Sequence, residues 1–146
     1  MKTEIAFWDT SAIIPLYCNQ AISRESRRIR QQFKQPVLWW GTHVEMHSGI
    51  LRLLREGILT KKQSKKALEK WESLLSVALI VKPDDKVLRL AVSMTGDYGL
   101  RALDAFQLAA ALVWCREKPR NRPFVSADVR LADAASDAGF DAIVLS

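Results

Sequence analysis

Five short runs of almost unbroken apolar residues constrain this chain more than anything else in it: "EIAFWD" (4–9), "VLWW" (37–40), "VALIV" (77–81), "PFVSAD" (123–128) and "FDAIVLS" (140–146). A strand with one wet face alternates apolar and polar residues. These runs do not alternate, so they read as strands covered on both faces, the pattern of a parallel sheet between helical layers. Between them the apolar spacing changes to a helical period. Ile22, Ile29 and Phe33 make a narrow stripe, and Met46, Ile50, Leu53 and Leu54 fall at i, i+4, i+7 and i+8 ahead of a stop at Gly57. Ala67, Leu68, Trp71, Leu74 and Leu75 repeat that spacing. "SAIIPLY" starts a brief helix that Pro15 limits or kinks, Pro36 breaks the helix before the second strand, and further helices cover 83 to about 96, 102–116 and 129–138. Strands alternating with helices specify an α/β fold, a three-layer α/β/α domain with a mostly parallel central sheet of about five strands.

A chain of 146 residues fits a single domain, 1–146, large enough to bury a core without disulfide or metal staples. Its hydrophobic fraction of 49%, with five tryptophans, excludes a disordered chain. No apolar run approaches the roughly 18 residues of a membrane span, and "MKTEIAFWDT" has neither the h-region nor the cleavage site of a secretory leader. Cys18 and Cys115, far apart in apolar surroundings, read as free buried thiols of a protein in the reducing cytoplasm.

The charge balance, 22 Lys plus Arg against 16 Asp plus Glu, gives +6 and points to a polyanion or an acidic protein as partner. The basic residues cluster in "SRESRRIRQQFK" (23–34) and "KKQSKK" (61–66). Either cluster also fits a plain solvated helix face.

In parallel sheets, ligands bind beyond the carboxyl ends of the strands. Asp9 ends the first strand, Glu45 lies in the first turns of the helix after the second, and Asp128 follows the fourth. Asp104 opens an otherwise greasy helix, "LDAFQLAAALVW", and reaches the same end only if the long connection after "VALIV" returns it there. Four such carboxylates repel by about 1 kcal/mol per pair at 4 Å in water, and by about 4 at an effective dielectric near 20. A hard divalent cation reverses the sign of that cost, and an all-oxygen set suits Mg²⁺ or Mn²⁺. His43 and His47, at i, i+4, make half of a zinc site, with no third His or nearby Cys to complete it. Arg52, two turns beyond Glu45, and Arg101, one turn before Asp104, either contact phosphates at the rim or form salt bridges. Asp84, Asp85, Asp133 and Asp137 read as caps or surface acids. No GxxxxGK[ST] is present, no histidine is placed to activate a serine or cysteine, and strand one lacks the acidic pair of a receiver domain.

The segments "FWDTSAIIPLY", "HVEMHSGILR", "LRALDAFQLAAAL" and "FVSADVRLADAASDAGF" resemble, in order and spacing, the four acidic motifs of PIN-domain nucleases, most closely the VapC-type toxins of type II toxin–antitoxin systems. The resemblance covers nearly the whole chain. It implies a Mg²⁺- or Mn²⁺-dependent ribonuclease site of Asp9, Glu45, Asp104 and Asp128, with Ser11 and Ser126 at the supporting hydroxyl positions. Gln107 stands where relatives carry His or Gln. The resemblance further implies cleavage of structured RNA such as tRNA or ribosomal RNA, a homodimer, and a cognate antitoxin laid over the active-site groove. A non-catalytic PIN-like module that binds RNA or protein is the alternative.

Overall fold

The structure, a computed structural model, describes residues 4–146; residues 1–3 of the expected domain, the start of the "MKTEIAFWDT" segment, lie outside them. The five apolar runs form β1 (Ile5–Trp8), β2 (Gln35–Trp39), β3 (Leu79–Val81), β4 (Pro123–Ser126) and β5 (Asp141–Val144). All neighbouring pairs are parallel, in the order β3-β2-β1-β4-β5. Between the strands run α1 (Thr10–Tyr17), α2 (Ser23–Gln32), α3 (Thr42–Arg55), α4 (Lys61–Val77), α5 (Asp85–Asp97), α6 (Ala102–Trp114) and α7 (Val129–Ala138). The three-layer α/β/α reading of the sequence is met.

Strand pleating divides the core in two. Phe7, Val37, Trp39 and Phe124 point into one layer, against α5, α6 and α7, and Phe7 stacks on Phe124 at 5.2 Å between ring centroids. Ala6, Trp8, Leu38 and Val125 point into the other, against α1, α2, α3 and α4, where Trp71 is fully buried. Successive residues serve opposite layers, so the runs had to be apolar throughout.

All five strands are bounded differently from the apolar runs, and at β2 and β3 the difference has a structural reason. β2 starts at Gln35 and contains Pro36, because β3 pairs only with Val37–Trp39. The Gln35 N–H already bonds across to Glu4 on the β1 side, so the missing N–H of Pro36 faces the side where β3 has ended. β3 is three residues long and lies at the sheet edge with Leu79 half exposed, and the first two residues of "VALIV" belong to the end of α4 and its cap. Pro15 stands inside α1 without ending it.

From β1 the chain moves out to β2 and β3, then crosses through α5 and α6 to β4 on the other side of β1. The order therefore reverses between β1 and β4, the point where open α/β sheets leave a crevice at their carboxyl edge. The long crossover returns the start of α6 to that edge, as the position of Asp104 requires.

Gly139 closes α7 with φ +111°, and an added Cβ would lie 2.9 Å from Pro119 Cγ. Gly139→Ala is expected to cost about 1–3 kcal/mol, read as a lower Tm; an unchanged Tm would contradict this account of the turn into β5.

Candidate active site

Asp9 occupies the crevice at the reversal. It follows β1 and is the N-cap of α1, accepting from the Ala12 N–H at 3.2 Å, and it is only 3% exposed. Ser11 Oγ donates across both carboxylate oxygens at 2.8 and 2.9 Å, and Ser126 Oγ donates to Oδ2 at 3.0 Å. Each hydroxyl oxygen is itself held by a backbone donor, Ala127 N–H on Ser11 and Asp128 N–H on Ser126. Their protons are thereby aimed at Asp9, and β1 and β4 are tied together through one carboxylate. Among the described residues no cation pairs with Asp9. Burial raises its pKa to about 7 against the opposing pull of those hydrogen bonds, and Asp128 adds repulsion.

The other acids meet at the same edge. Glu45, in the first turn of α3, accepts from Thr10 Oγ1 at 3.1 Å and from Gln107 Nε2 at 3.1 Å. Gln107, buried in α6, also donates toward Thr10 and Thr42, at 3.2 and 3.0 Å. Close approach of α3 to α1 makes this bridge: a Cβ at Gly49 would lie 2.8 Å from Ile14 Cδ1. Asp104 lies in the first turn of α6, and Asp128 caps α7 through the N–H groups of Arg130 and Leu131. Burial raises the pKa of Glu45 and of Asp104; Asp104 adds repulsion at Glu45, and Asp128 adds it at Asp104. Asp9, Asp128, Asp104 and Glu45 thus form one chain of mutually repelling groups.

They line the edge without closing on one another. Among the described residues no three of these acids bring their oxygens within 4.8 Å, the spacing expected of like charges with nothing between them. The donors fit a hard divalent cation: oxygen only, one of them buried and lacking a counter-charge, with water-accessible neighbours to complete a sphere.

Two hollows flank the acids. One, of about 200 Å³, is lined by Leu100, Arg101, Asp104, Asp128 and Arg130; the other, of about 1170 Å³, has Thr10, Ser11, Glu45, Arg52 and Arg55 among its lining residues. Neither Arg52 nor Arg101 forms an ion pair among the described residues, so the salt-bridge alternative for them is not met. Arg101 and Arg130 both act to lower the Asp104 pKa. Of the remaining acids, Asp84 caps α5 as read, and Asp85 lies in its first turn.

The sequence reading did not single out Thr10, Thr42, Arg55 or Arg130, and drew nothing from Gln107. A polar residue three positions after Asp104 in an apolar helix was the available signal for Gln107. Arg130 stood beside Asp128 in "ADVR". No third His or Cys joins His43 and His47, as read, but α4 brings the Glu72 carboxylate to both rings.

An open parallel sheet with carboxylates gathered at its point of reversal defines an α/β protein built around an acidic site. Its family follows from comparison: the profile of the PIN domain matches residues 6–137, and the chain belongs to the PIN domain family, whose members are generally nucleases. Among solved structures it is similar to a toxin–antitoxin complex from Klebsiella pneumoniae, at 18% identity and TM-score 0.62 over 84% of this chain and 86% of that one. It is also similar to PAE2754 from Pyrobaculum aerophilum (19%, TM-score 0.59, covering 97% and 92%) and to FitAcB from Neisseria gonorrhoeae (21%, 0.64, 94% and 96%). At these identities the likeness is one of fold. No curated protein matches the sequence.

A raised folded-state pKa makes ionisation of Asp9 work against the fold. The metal-free protein gains nothing from Asp9 below about pH 4 and loses stability as the pH rises to about 7. At about 1.4 kcal/mol per pH unit the loss is on the order of 4 kcal/mol. In EDTA, Tm should fall over this range, and Asp9→Asn should make the fall shallower; identical slopes would contradict the assignment.

Proposed function

We propose that this protein is a Mg²⁺- or Mn²⁺-dependent endoribonuclease, the toxin of a toxin–antitoxin pair, acting on structured RNA. The observation that carries the reading is the uncompensated acidic edge: four carboxylates at the reversal of a PIN fold, one of them buried with hydroxyl partners and no cation.

Asp9, Asp104 and Asp128 would hold the cation, with Glu45 joining directly or through water. When bound, such an ion would lower the pKa of a coordinated water so that its deprotonated form could attack phosphorus near neutral pH, and would supply a counter-charge for the departing oxygen. Ser11 and Ser126 hold the Asp9 oxygens in one orientation, and Thr10 and Gln107 do the same for Glu45. Held in this way, the carboxylates need no rearrangement when the phosphodiester arrives. Arg52, Arg55, Arg101 and Arg130 flank the acids from two sides and draw RNA phosphates across them, offsetting the repulsion a polyanion meets at an acidic site.

The larger cleft also supports a protein partner. Trp40, Val44, Leu88 and Leu103 line it and are more than half exposed, a surface that RNA phosphates do not need and an antitoxin segment would cover. The Klebsiella toxin–antitoxin neighbour is consistent with such a partner. The reading carries with it a homodimer working in the cytoplasm as a single domain; no helix among the described residues is long and apolar enough to cross a membrane.

Purified protein incubated with total tRNA and ribosomal RNA should give discrete cuts with Mg²⁺ or Mn²⁺ and none in EDTA, and Asp104→Asn should abolish them. Binding without cutting, in every metal, would replace this reading with that of a non-catalytic PIN-like module. Ser11→Ala and Gln107→Ala, which only orient the acids, are expected to lower kcat/KM by about 10–100-fold. Arg52→Ala and Arg101→Ala should act mainly on KM, with a shallower salt dependence; an effect confined to kcat would contradict their place at the rim.

A further inference from the structure

The opposite side of α3 carries a second cluster of ligand groups. His43 and His47 are one turn apart, and Glu72 of α4 faces both, its Oε1 lying 3.4 Å from His43 Nε2 and 3.6 Å from His47 Nε2. A ring nitrogen of each histidine and a carboxylate oxygen of Glu72 all lie within 4.8 Å of one another. Glu45, two residues from each histidine, turns the other way toward Thr10 and Gln107, so the two clusters do not share a ligand.

We propose that His43, His47 and Glu72 form a binding site for Zn²⁺ or a similar transition-metal ion, separate from the acidic edge. The distances carry the argument first. Zinc bonds of about 2.0–2.1 Å in a tetrahedron place neighbouring donors about 3.3 Å apart, close to the two observed separations and longer than an ordinary N–H···O bond. The state of His47 carries it second. Its Nε2 is sealed from solvent and has no hydrogen-bond partner, although a carboxylate stands just beyond bonding range. A metal between the three groups satisfies that nitrogen and Glu72 together. The chemistry carries it third: two imidazoles and one carboxylate suit Zn²⁺, whereas the all-oxygen edge suits Mg²⁺ or Mn²⁺.

The scaffold under the cluster is firm. The His43 ring meets the buried Trp71 ring edge-on at 5.9 Å, and Met46, Ile50, Ala67 and Trp71 pack in the same core layer. A hollow of about 630 Å³ is lined by His43 and His47 together with Trp40, Val44, Leu75 and Ile80. Lys82 stands at the same hollow as the one cation among its lining residues. Three ligands on two helices make the ion a clamp between α3 and α4, one helix of which also carries Glu45.

Zinc binding to the full-length protein, followed by calorimetry and by Tm, tests the site without reference to nuclease activity. One Zn²⁺ per chain should bind and raise Tm, with the same affinity in Asp9→Asn. His47→Gln and Glu72→Gln, conservative changes at half-exposed positions, should weaken binding by about 100-fold or more while leaving the metal-free Tm unchanged. Co²⁺ in place of zinc should give the visible absorption of a four-coordinate nitrogen–oxygen site, lost in His43→Gln. Absence of saturable zinc binding would overturn the proposal, and so would binding that survives His47→Gln and falls in Asp9→Asn.

Discussion

A carboxylate sealed into the crevice where the strand order reverses is the constraint around which this end of the molecule is arranged. Asp9 is 3% exposed and meets two hydroxyls and one backbone N–H, but no cation. Burial outweighs those three partners and raises its pKa to about 7. A group so placed works against the fold when ionised alone, and its neighbours are further acids. Strain of this kind persists where the surrounding structure over-determines it and a ligand relieves it.

The over-determination is visible in the connections. Ser11 links Asp9 to α1 and Ser126 links it to β4, and their oxygens accept from the N–H groups of Ala127 and Asp128. Gln107 reaches out of α6 to Thr10, Thr42 and Glu45, and so ties α6, α1 and α3 at one buried point. Side chains from α1 and α6 thus fix Glu45, and a helix N-terminus with two strand ends fixes Asp9. The proposed nuclease site is a set of oxygens held at one edge against their own repulsion and oriented before any cation arrives.

Much of this was legible in the sequence. Burial on both faces removes alternation in β1, β2 and β4, so these strands stood out as apolar runs, while the edge strands β3 and β5 are apolar but partly exposed. The rule that parallel sheets bind at their carboxyl edge then placed Asp9, Glu45 and Asp128 together. Asp104 was legible because an acid in an apolar helix needs a reason. The same logic applied to Gln107, yet a glutamine carries no charge to flag it, and its bonding depends on how α6, α1 and α3 meet. β3 was overestimated because an edge strand borrows its apolar residues from the end of α4. Pro36 was read as a break because its fitness inside β2 depends on where β3 stops. Glu72 was illegible for a similar reason: nothing in the local sequence of α4 indicates that its carboxylate will face two imidazoles on α3.

The central claim is that the acidic edge is a metal site and not a set of independent helix caps. A crystal structure of the protein grown with Mn²⁺, with anomalous scattering recorded from the metal, tests it directly. The account predicts a manganese peak among the carboxylates of Asp9, Asp104 and Asp128, with Glu45 bound directly or through one water, and loss of that peak in Asp9→Asn. Saturating Mn²⁺ that leaves this edge empty, with the four acids as far apart as before, would contradict it.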